Sequence, residues 1–186
     1  MLFKKKSFIQ VPMMKSKIIK SSRLAYYRPT KEDFKAYFAI NADPRTNLFN
    51  PHGPMSEITA HEVFHNMLLH WDISGYGIWM VREINKSEII GFGGLSNKMY
   101  SDHQRTNLGY RFSPSAWGKG YATELAQTAV AFGFQELKKN AIYALVRAAN
   151  LASIRVLEKC QFNLIDYLSD VQNEDPSLVY RRNSPI

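Results

Sequence analysis

The segment from residue 109 to residue 124 constrains the fold most, because it has the pattern of a strand, a short loop, a glycine turn and a long helix. Its sequence is GYRFSPSAWGKGYATE. Gly118 and Gly120 remove Cβ atoms where backbone N–H groups can approach an anion. The helix that follows adds unpaired N–H donors and the positive end of its dipole. These features favour a pyrophosphate site, and a turn that merely connects strand to helix is the simpler alternative.

Two nucleotide-binding motifs do not fit this turn. A Walker loop requires Gly-Lys followed by Ser or Thr, whereas Lys119 is followed by Gly120. A dinucleotide fingerprint requires a third glycine near Thr123 and an acid at the end of the next strand, which here ends at Val146 and Arg147. The turn therefore predicts an anion site of another class.

Hydrophobic periodicity predicts one α+β domain around this segment. Strands are predicted at residues 24–28, 77–83, 88–96, 107–112, 141–147, 162–168 and 178–182. Helices are predicted at residues 30–41, 56–71, 120–137 and 151–160. The domain is expected over residues 21–186, after a basic, flexible tail over residues 1–20.

The net charge of +8 invites a nucleic-acid interpretation, but the distribution of charge opposes it. Residues 1–28 hold eight of the 24 basic residues and no acid, so 24 minus 8 leaves 16 basic residues against 16 acidic ones. Nucleic acid is therefore expected as a partner only through the tail. The single cysteine, Cys160, argues against a disulfide framework and indicates a cytoplasmic location. No apolar run approaches the roughly 20 residues that span a bilayer, so no membrane partner is expected.

The same segment resembles motif A of the GNAT N-acetyltransferases, in particular the RimJ/RimL-like branch, in which Trp-Gly-Lys-Gly-Tyr-Ala-Thr-Glu is a characteristic string. Residues 89–95 are similar to the family's third strand, residues 150–162 to its Asn-x-x-Ser helix and the strand after it, and residues 24–29 to its opening strand. The resemblance covers residues 23–182 and implies a single GNAT-like α+β domain. Its mixed, mostly antiparallel sheet of about seven strands has helices on both faces and a splay between the fourth and fifth strands.

The resemblance also implies a reaction, the transfer of an acetyl group from acetyl-CoA to a primary amine by direct attack, without a metal. The pantetheine arm would bind the backbone of Tyr110, Arg111 and Phe112, where one N–H group would polarise the thioester carbonyl. Asn150 would contact the cofactor arm, and Ser153 would protonate the departing thiolate. The glycine turn and the first helical turn would bind the pyrophosphate through Trp117, Gly118, Lys119, Gly120, Tyr121, Ala122 and Thr123.

Several of these residues depart from the family's pattern or have simpler explanations. Leu157 stands where many members have a catalytic Tyr, and Asn107 where many have a Glu that helps to deprotonate the amine. Asn107 is the candidate catalytic residue at that position, but its amide has no basic lone pair at neutral pH. Asn150 is also a favoured helix N-cap, and Ser153 is a small residue that suits a helix face. A non-catalytic acyl-CoA-binding protein therefore stays open as an alternative.

His61 and His65 form a competing motif, because the stretch between them completes the zinc hydrolase pattern His-Glu-x-x-His with Glu62 as the base. At about 100° per residue, the apolar face of this helix centres near Ala60 and Met67. Both histidines then lie at the margin of that face, whereas a zinc helix turns them into an enclosed cleft. A zinc hydrolase is therefore the less favoured alternative.

The partners expected from the sequence are acetyl-CoA and an amine acceptor, either a protein N-terminus or a small-molecule amine. The general base is not identified, because Asn107 stands where Glu is usual. A homodimer is left open.

Overall fold

The structure is a computed structural model that describes residues 18–185. Most of the predicted basic tail lies outside these residues. The strands are β1 (Ile19–Lys20), β2 (Leu24–Tyr27), β3 (Ile78–Glu83), β4 (Ile89–Tyr100), β5 (His103–Phe112), β6 (Ala141–Val146), β7 (Asn163–Leu168) and β8 (Ser177–Asn183). The helices are α1 (Phe34–Ala42), α2 (Glu57–Ser74), α3 (Tyr121–Gln135) and α4 (Leu151–Lys159).

The strands form one sheet in the order β1-β2-β3-β4-β5-β6-β8-β7. Neighbouring strands are antiparallel except β5 and β6, which are parallel. This confirms the predicted α+β domain with a mixed, mostly antiparallel sheet. The eighth strand, β1, comes from residues that the sequence placed in the tail, and it pairs with β2 through Ile19 and Lys20.

Different helices cover the two faces of the sheet. On one face, Leu108 and Ile142 pack into a buried cluster with Leu125 of α3. On the other face, Met80 of β3 is buried in a second cluster with Tyr37 of α1. Side chains along β5 alternate between these faces, so Leu108 points towards α3 and its neighbours in the chain point towards α1. Within residues 18–185, no helix combines the length and the apolar character that a bilayer crossing requires.

The β4–β5 hairpin is longer than the sequence predicted. Its ladder runs from the pair of Gly91 with Phe112 to the pair of Tyr100 with His103. The end that the sequence missed is mostly polar or exposed, with Tyr100 and Thr106 buried, so it lacks the apolar alternation of a half-buried strand. Backbone pairing continues there beyond the core.

The two parallel strands diverge, as the resemblance implied. β5 pairs with β4 in ten register pairs, whereas its pairing with β6 consists of one, Asn107 with Tyr143. Beyond Asn107, β5 therefore presents a backbone edge to the gap that opens towards β6. This edge leads directly into the glycine turn.

His70 connects α2 to β4 through two hydrogen bonds that define its tautomer. The backbone N–H of Asn97 donates to Nε2 at 3.0 Å, so Nε2 carries no proton. Nδ1 then carries the proton and donates it to the carbonyl of Tyr76 at 2.8 Å. Burial lowers the pKa of His70, although the bond to the Tyr76 carbonyl opposes this shift.

We expect His70→Ala to lower the free energy of unfolding by about 2–4 kcal/mol at pH 7.5, because it leaves the Asn97 N–H and the Tyr76 carbonyl unpaired. In the wild type, the unfolded chain takes up the His70 proton first as the pH falls, since the pKa is lower in the folded state. The stabilisation that neutral His70 gives the folded state is therefore complete above about pH 6.5 and is lost below it. Urea unfolding at pH 7.5 and pH 5.5 measures the effect: between these pH values the variant should lose less free energy of unfolding than the wild type.

A matched control is His65→Ala, which removes an exposed histidine from the same helix. It should change neither the stability nor its pH dependence. If the wild type and His70→Ala lost the same free energy of unfolding between pH 7.5 and pH 5.5, neutral His70 would not stabilise the fold as described.

Candidate active site

The glycine turn has the backbone geometry that its sequence predicts. Gly118 and Gly120 have φ values of 73° and 77°, which a residue with a Cβ adopts only with strain. The first hydrogen bond inside α3 runs from the N–H of Glu124 to the carbonyl of Gly120, at 3.1 Å. The N–H groups of residues 121–123 therefore have no acceptor within the helix. With the positive end of the helix dipole, they form a site suited to a phosphate.

Arg23 and Glu124 brace this turn from the β2 side. The carboxylate of Glu124, 11% exposed, accepts hydrogen bonds from the backbone N–H of Arg23 at 2.8 Å and from Ser21 Oγ at 2.7 Å. The Arg23 guanidinium donates to the carbonyl of Lys119 at 2.8 Å and lies 4.8 Å from the ring centre of Tyr121. Burial alone would raise the pKa of Glu124, but its hydrogen bonds hold the pKa below the usual value. Local sequence patterns did not indicate this brace, because it joins residues about 100 positions apart.

We expect Arg23→Ala to weaken acetyl-CoA binding about 3- to 10-fold, because the carbonyl of Lys119 and the carboxylate of Glu124 lose their shared partner. Stability should change by less than about 1 kcal/mol, since the Arg23 side chain is 50% exposed and its ion pair is screened. Calorimetric titration with acetyl-CoA measures the affinity.

Arg45→Ala is the matched control, because Arg45 forms a comparable ion pair with Asp43 at 2.6 Å, outside the turn. It should bind acetyl-CoA like the wild type. An Arg23→Ala protein with unchanged affinity would show that the brace does not position the turn.

A cavity of about 360 Å³ opens beside the turn. It is lined by Ser22, Arg23, Gly120, Thr123, Glu124, Gln127 and Lys159. Arg23 and Lys159 are the two cations of its walls, and Arg23 is paired with the carboxylate of Glu124, so the lining carries a net positive charge through Lys159. The cavity therefore extends the anion site of the turn.

The alternation of hydrogen bonds along β5 shows which residues face the gap. The N–H of Ser113 donates to the carbonyl of Ile90 at 2.9 Å, and antiparallel pairs alternate between bonded and non-bonded. The backbone polar groups of Arg111 are therefore directed to β4. Those of Tyr110 and Phe112 are directed to the open edge. Of the three residues predicted to hold the pantetheine, these two have the required backbone direction.

Side chains from three elements meet at this open edge. Trp117 Nε1 donates to the carbonyl of Phe112 at 2.9 Å, which ties the strand to the turn. The hydroxyl of Tyr110 donates to the carbonyl of Ser153 at 3.4 Å, across the gap. Asn150 Oδ1 accepts from the N–H of Ser153 at 3.1 Å, so Asn150 is the N-cap of α4. Burial raises the pKa of Tyr110 far above its ordinary value, which makes it a poor proton donor.

The face of β5 opposite α3 carries Asn107, Gly109 and Arg111. Asn107 Oδ1 accepts from the hydroxyl of Tyr100 at 2.7 Å, which leaves its Nδ2 as a donor. Among the residues that the structure describes, and apart from the chain neighbours of Gly109, that nitrogen is the one atom within 4 Å of the position that a Cβ on Gly109 would take, at 3.6 Å. The space above Gly109 is therefore open, and it lies on the strand between the amide donor of Asn107 and the cationic side chain of Arg111.

The histidines of the competing motif lie elsewhere. The His61 ring stacks on Phe34 with a centroid distance of 3.6 Å, and both His61 and His65 are exposed. In the part of the chain that the structure describes, no three His, Cys, Asp or Glu side chains are grouped to hold a metal ion. The zinc alternative therefore finds no third ligand among these residues.

Three comparisons relate this chain to known proteins. A family model described as acetyltransferase (GNAT) domain matches residues 23–163. The probable N-acetyltransferase YjcK of Bacillus subtilis (strain 168) is 42% identical over 133 residues, which cover 72% of this chain and 68% of YjcK. YkkB, an uncharacterized protein of the same organism, is 32% identical over 113 residues, which cover 59% of this chain and 64%, less than two thirds, of YkkB. The solved apo structure of RimL, a ribosomal L7/L12 alpha-N-protein acetyltransferase, has a TM-score of 0.73 at 19% identity over 90% of this chain and 94% of RimL. At that identity, the likeness to RimL shows the fold.

Proposed function

The chain belongs to the GNAT acetyltransferase family as an acetyl-CoA-dependent N-acetyltransferase, and we propose that its acceptor is a protein N-terminus or a small-molecule primary amine. The single observation that carries this proposal is the open edge of β5 leading into the glycine turn. It offers one continuous backbone surface for a cofactor that has a peptide-like arm and a pyrophosphate.

In this proposal the cofactor binds mainly to backbone. The pyrophosphate accepts hydrogen bonds from the turn and from the N–H groups of residues 121–123. The adenosine end lies at the cavity beside the turn, where Lys159 attracts the phosphate on its ribose. The pantetheine arm pairs with the backbone of Tyr110 and Phe112 and brings the thioester towards Ser153.

The chemistry is a direct transfer. The amine attacks the thioester carbonyl, a C–N bond forms, the C–S bond breaks, and CoA leaves as a thiolate. An N–H group of the open edge stabilises the oxyanion. Ser153 is the proposed acid for the thiolate, because its helix begins at the gap and Tyr110 contacts its carbonyl. Solvent water then returns a proton to the Ser153 hydroxyl. The amine proton leaves through water, because Asn107 presents an amide donor and cannot accept it.

The acceptor is proposed at the level of a primary amine. RimL is named for acetylation of a protein α-amino group, and its shared fold supports testing N-terminal peptides. The open space above Gly109 also suits a small amine. A non-catalytic acyl-CoA binder is the second candidate, and the amide of Asn107 is the observation in its favour.

A panel of N-terminal peptides and small primary amines tests the proposal. Each is incubated with the protein and acetyl-CoA, and the products are analysed by mass spectrometry. We expect at least one class to gain an acetyl group at its amine. Binding of acetyl-CoA without transfer to any member would favour the non-catalytic candidate, and absence of binding would contradict both.

A further inference from the structure

Arg111 is held on the face of β5 that α3 and α4 leave free. Its Nη1 donates to Asn41 Oδ1 at 2.9 Å and to Asn47 Oδ1 at 2.7 Å. Asn41 belongs to α1, and Asn47 lies in the loop that leads towards α2. The guanidinium therefore lies between the sheet and the α1–α2 connection.

The two asparagines are fixed before any ligand binds. Asn41 and Asn47 are 2% and 5% exposed. Asn41 Nδ2 donates to the carbonyl of Tyr37 at 2.9 Å, and Asn47 Nδ2 donates to the carbonyl of Asn41 at 2.8 Å. These bonds turn both amide oxygens towards Arg111. The guanidinium is therefore preorganised in one position.

The charge of Arg111 has no anionic partner among residues 18–185. No carboxylate lies within ion-pair distance of it, and the two amides that bind it are neutral. Burial lowers the pKa of Arg111, and the Tyr37 phenol opposes this shift. A largely buried cation without an anion is costly, so a ligand that supplies the countercharge would bind favourably there.

The hydrogen-bonding pattern leaves one edge of the guanidinium for that ligand. Arginine has five N–H donors, and the two amides use both hydrogens of Nη1. The Nε–H and the two hydrogens of Nη2 remain. This edge suits a carboxylate, which accepts two parallel hydrogen bonds from it.

We propose that Arg111 binds a carboxylate of the amine acceptor and so selects acceptors that carry both groups. The inference rests on the proposed function. An acceptor has to reach the thioester from the face opposite α3, where Gly109 leaves open space beside Arg111. Asn41 and Asn47 are positioning residues that hold the guanidinium in place for this contact.

Matched amine pairs test this role. Each amino acid or short peptide with a free carboxylate is compared with its own carboxamide, which keeps the shape and removes the charge; β-alanine and β-alaninamide are one such pair. In the wild type, kcat/KM should be about 10- to 100-fold higher for the carboxylate member of the preferred pair. In Arg111→Gln the ratio should fall close to one, and in Arg111→Lys it should be intermediate, because lysine keeps the charge without the planar fork.

The ratio of kcat/KM for the carboxylate and the carboxamide is taken within one protein, which separates recognition from stability. Partial unfolding of a variant lowers the rates with both amines by the same factor. Arg82→Gln is the matched control, since it removes an arginine of β3 that stacks on Tyr27 of β2, and it should keep the wild-type ratio. A role limited to tying the α1–α2 connection to β5 predicts that Arg111→Gln lowers both rates and leaves the ratio unchanged.

Titration of the same pairs into protein saturated with CoA provides a readout that needs no turnover. The carboxylate member should bind about 10- to 100-fold more tightly than its amide to the wild type and with equal affinity to Arg111→Gln. Lack of any acetyl transfer together with this preference would contradict the proposed function but support the role of Arg111. Equal binding of both members to the wild type, or an unchanged preference in Arg111→Gln, would overturn the proposed role of Arg111.

Discussion

Gly118→Val should weaken acetyl-CoA binding about 30- to 100-fold, because a β-branched residue at this position distorts or blocks the phosphate site. The φ of 73° at Gly118 is strained for valine. Apart from its chain neighbours, no atom of residues 18–185 lies within 4 Å of the position that a Cβ would take, so the side chain would occupy the space on the open side of the turn. Calorimetric titration with acetyl-CoA measures the affinity, and urea unfolding measures the stability.

The chain offers a control with the same backbone strain. Gly53 has a φ of 65° and equally open surroundings, but it lies in the loop before α2. Gly53→Val should lose a similar free energy of unfolding, about 1–2 kcal/mol, and should bind acetyl-CoA within about twofold of the wild type. Equal loss of affinity in both variants would mean that strain, and not the turn as an anion site, explains the effect.

Gly93→Val should lower the free energy of unfolding by about 3 kcal/mol and stop acetyl transfer, because β4 and β5 have no room for a side chain there. A Cβ on Gly93 would lie 2.6 Å from the Cβ of Tyr110 and 2.9 Å from the carbonyl oxygen of Gly109. Backbone atoms cannot move aside as a flexible side chain can. The added side chain would therefore shift Tyr110 away from the open edge. Urea unfolding and the acetyl-transfer assay measure the two effects.

Gly109→Ala is the control on the opposite strand. The nearest atom to its new Cβ would be Asn107 Nδ2 at 3.6 Å, which is ordinary contact. Its free energy of unfolding should stay within about 0.5 kcal/mol of the wild type. A Gly93→Val protein of wild-type stability would disprove the close approach of the two strands.

The fold and the anion site were predictable where the signals are local. The strand, turn and helix at residues 109–124 follow from two glycines and the apolar spacing behind them, and the family resemblance of the same segment implied the splay. The outer half of the β4–β5 hairpin was not predictable, because most of its side chains are polar or exposed and show no apolar alternation. The glycine at residue 93 matched the family's third strand, but its physical reason, contact with Tyr110, appears only in three dimensions.

The features that position the site depend on contacts between distant parts of the chain. Arg111 is 70 and 64 residues away from the two asparagines that bind it. Arg23, counted with the basic N-terminal charge, proves to brace the turn through Glu124. No periodicity or motif marks such pairs, because each partner alone has the composition of an ordinary polar residue. Asn107 was singled out by its departure from the family, and its Oδ1 accepts from the hydroxyl of Tyr100, which leaves Nδ2 as its donor group.

The central claim is that the chain transfers acetyl groups from acetyl-CoA to an amine. It is tested most directly by measuring the CoA thiol released and the acetylated amine formed in the same reaction, with the best acceptor of the panel. We predict that the two products appear in equal amounts, and that neither accumulates in Gly93→Val. Thiol release without acetylated amine would contradict the claim, because the protein would then be hydrolysing acetyl-CoA.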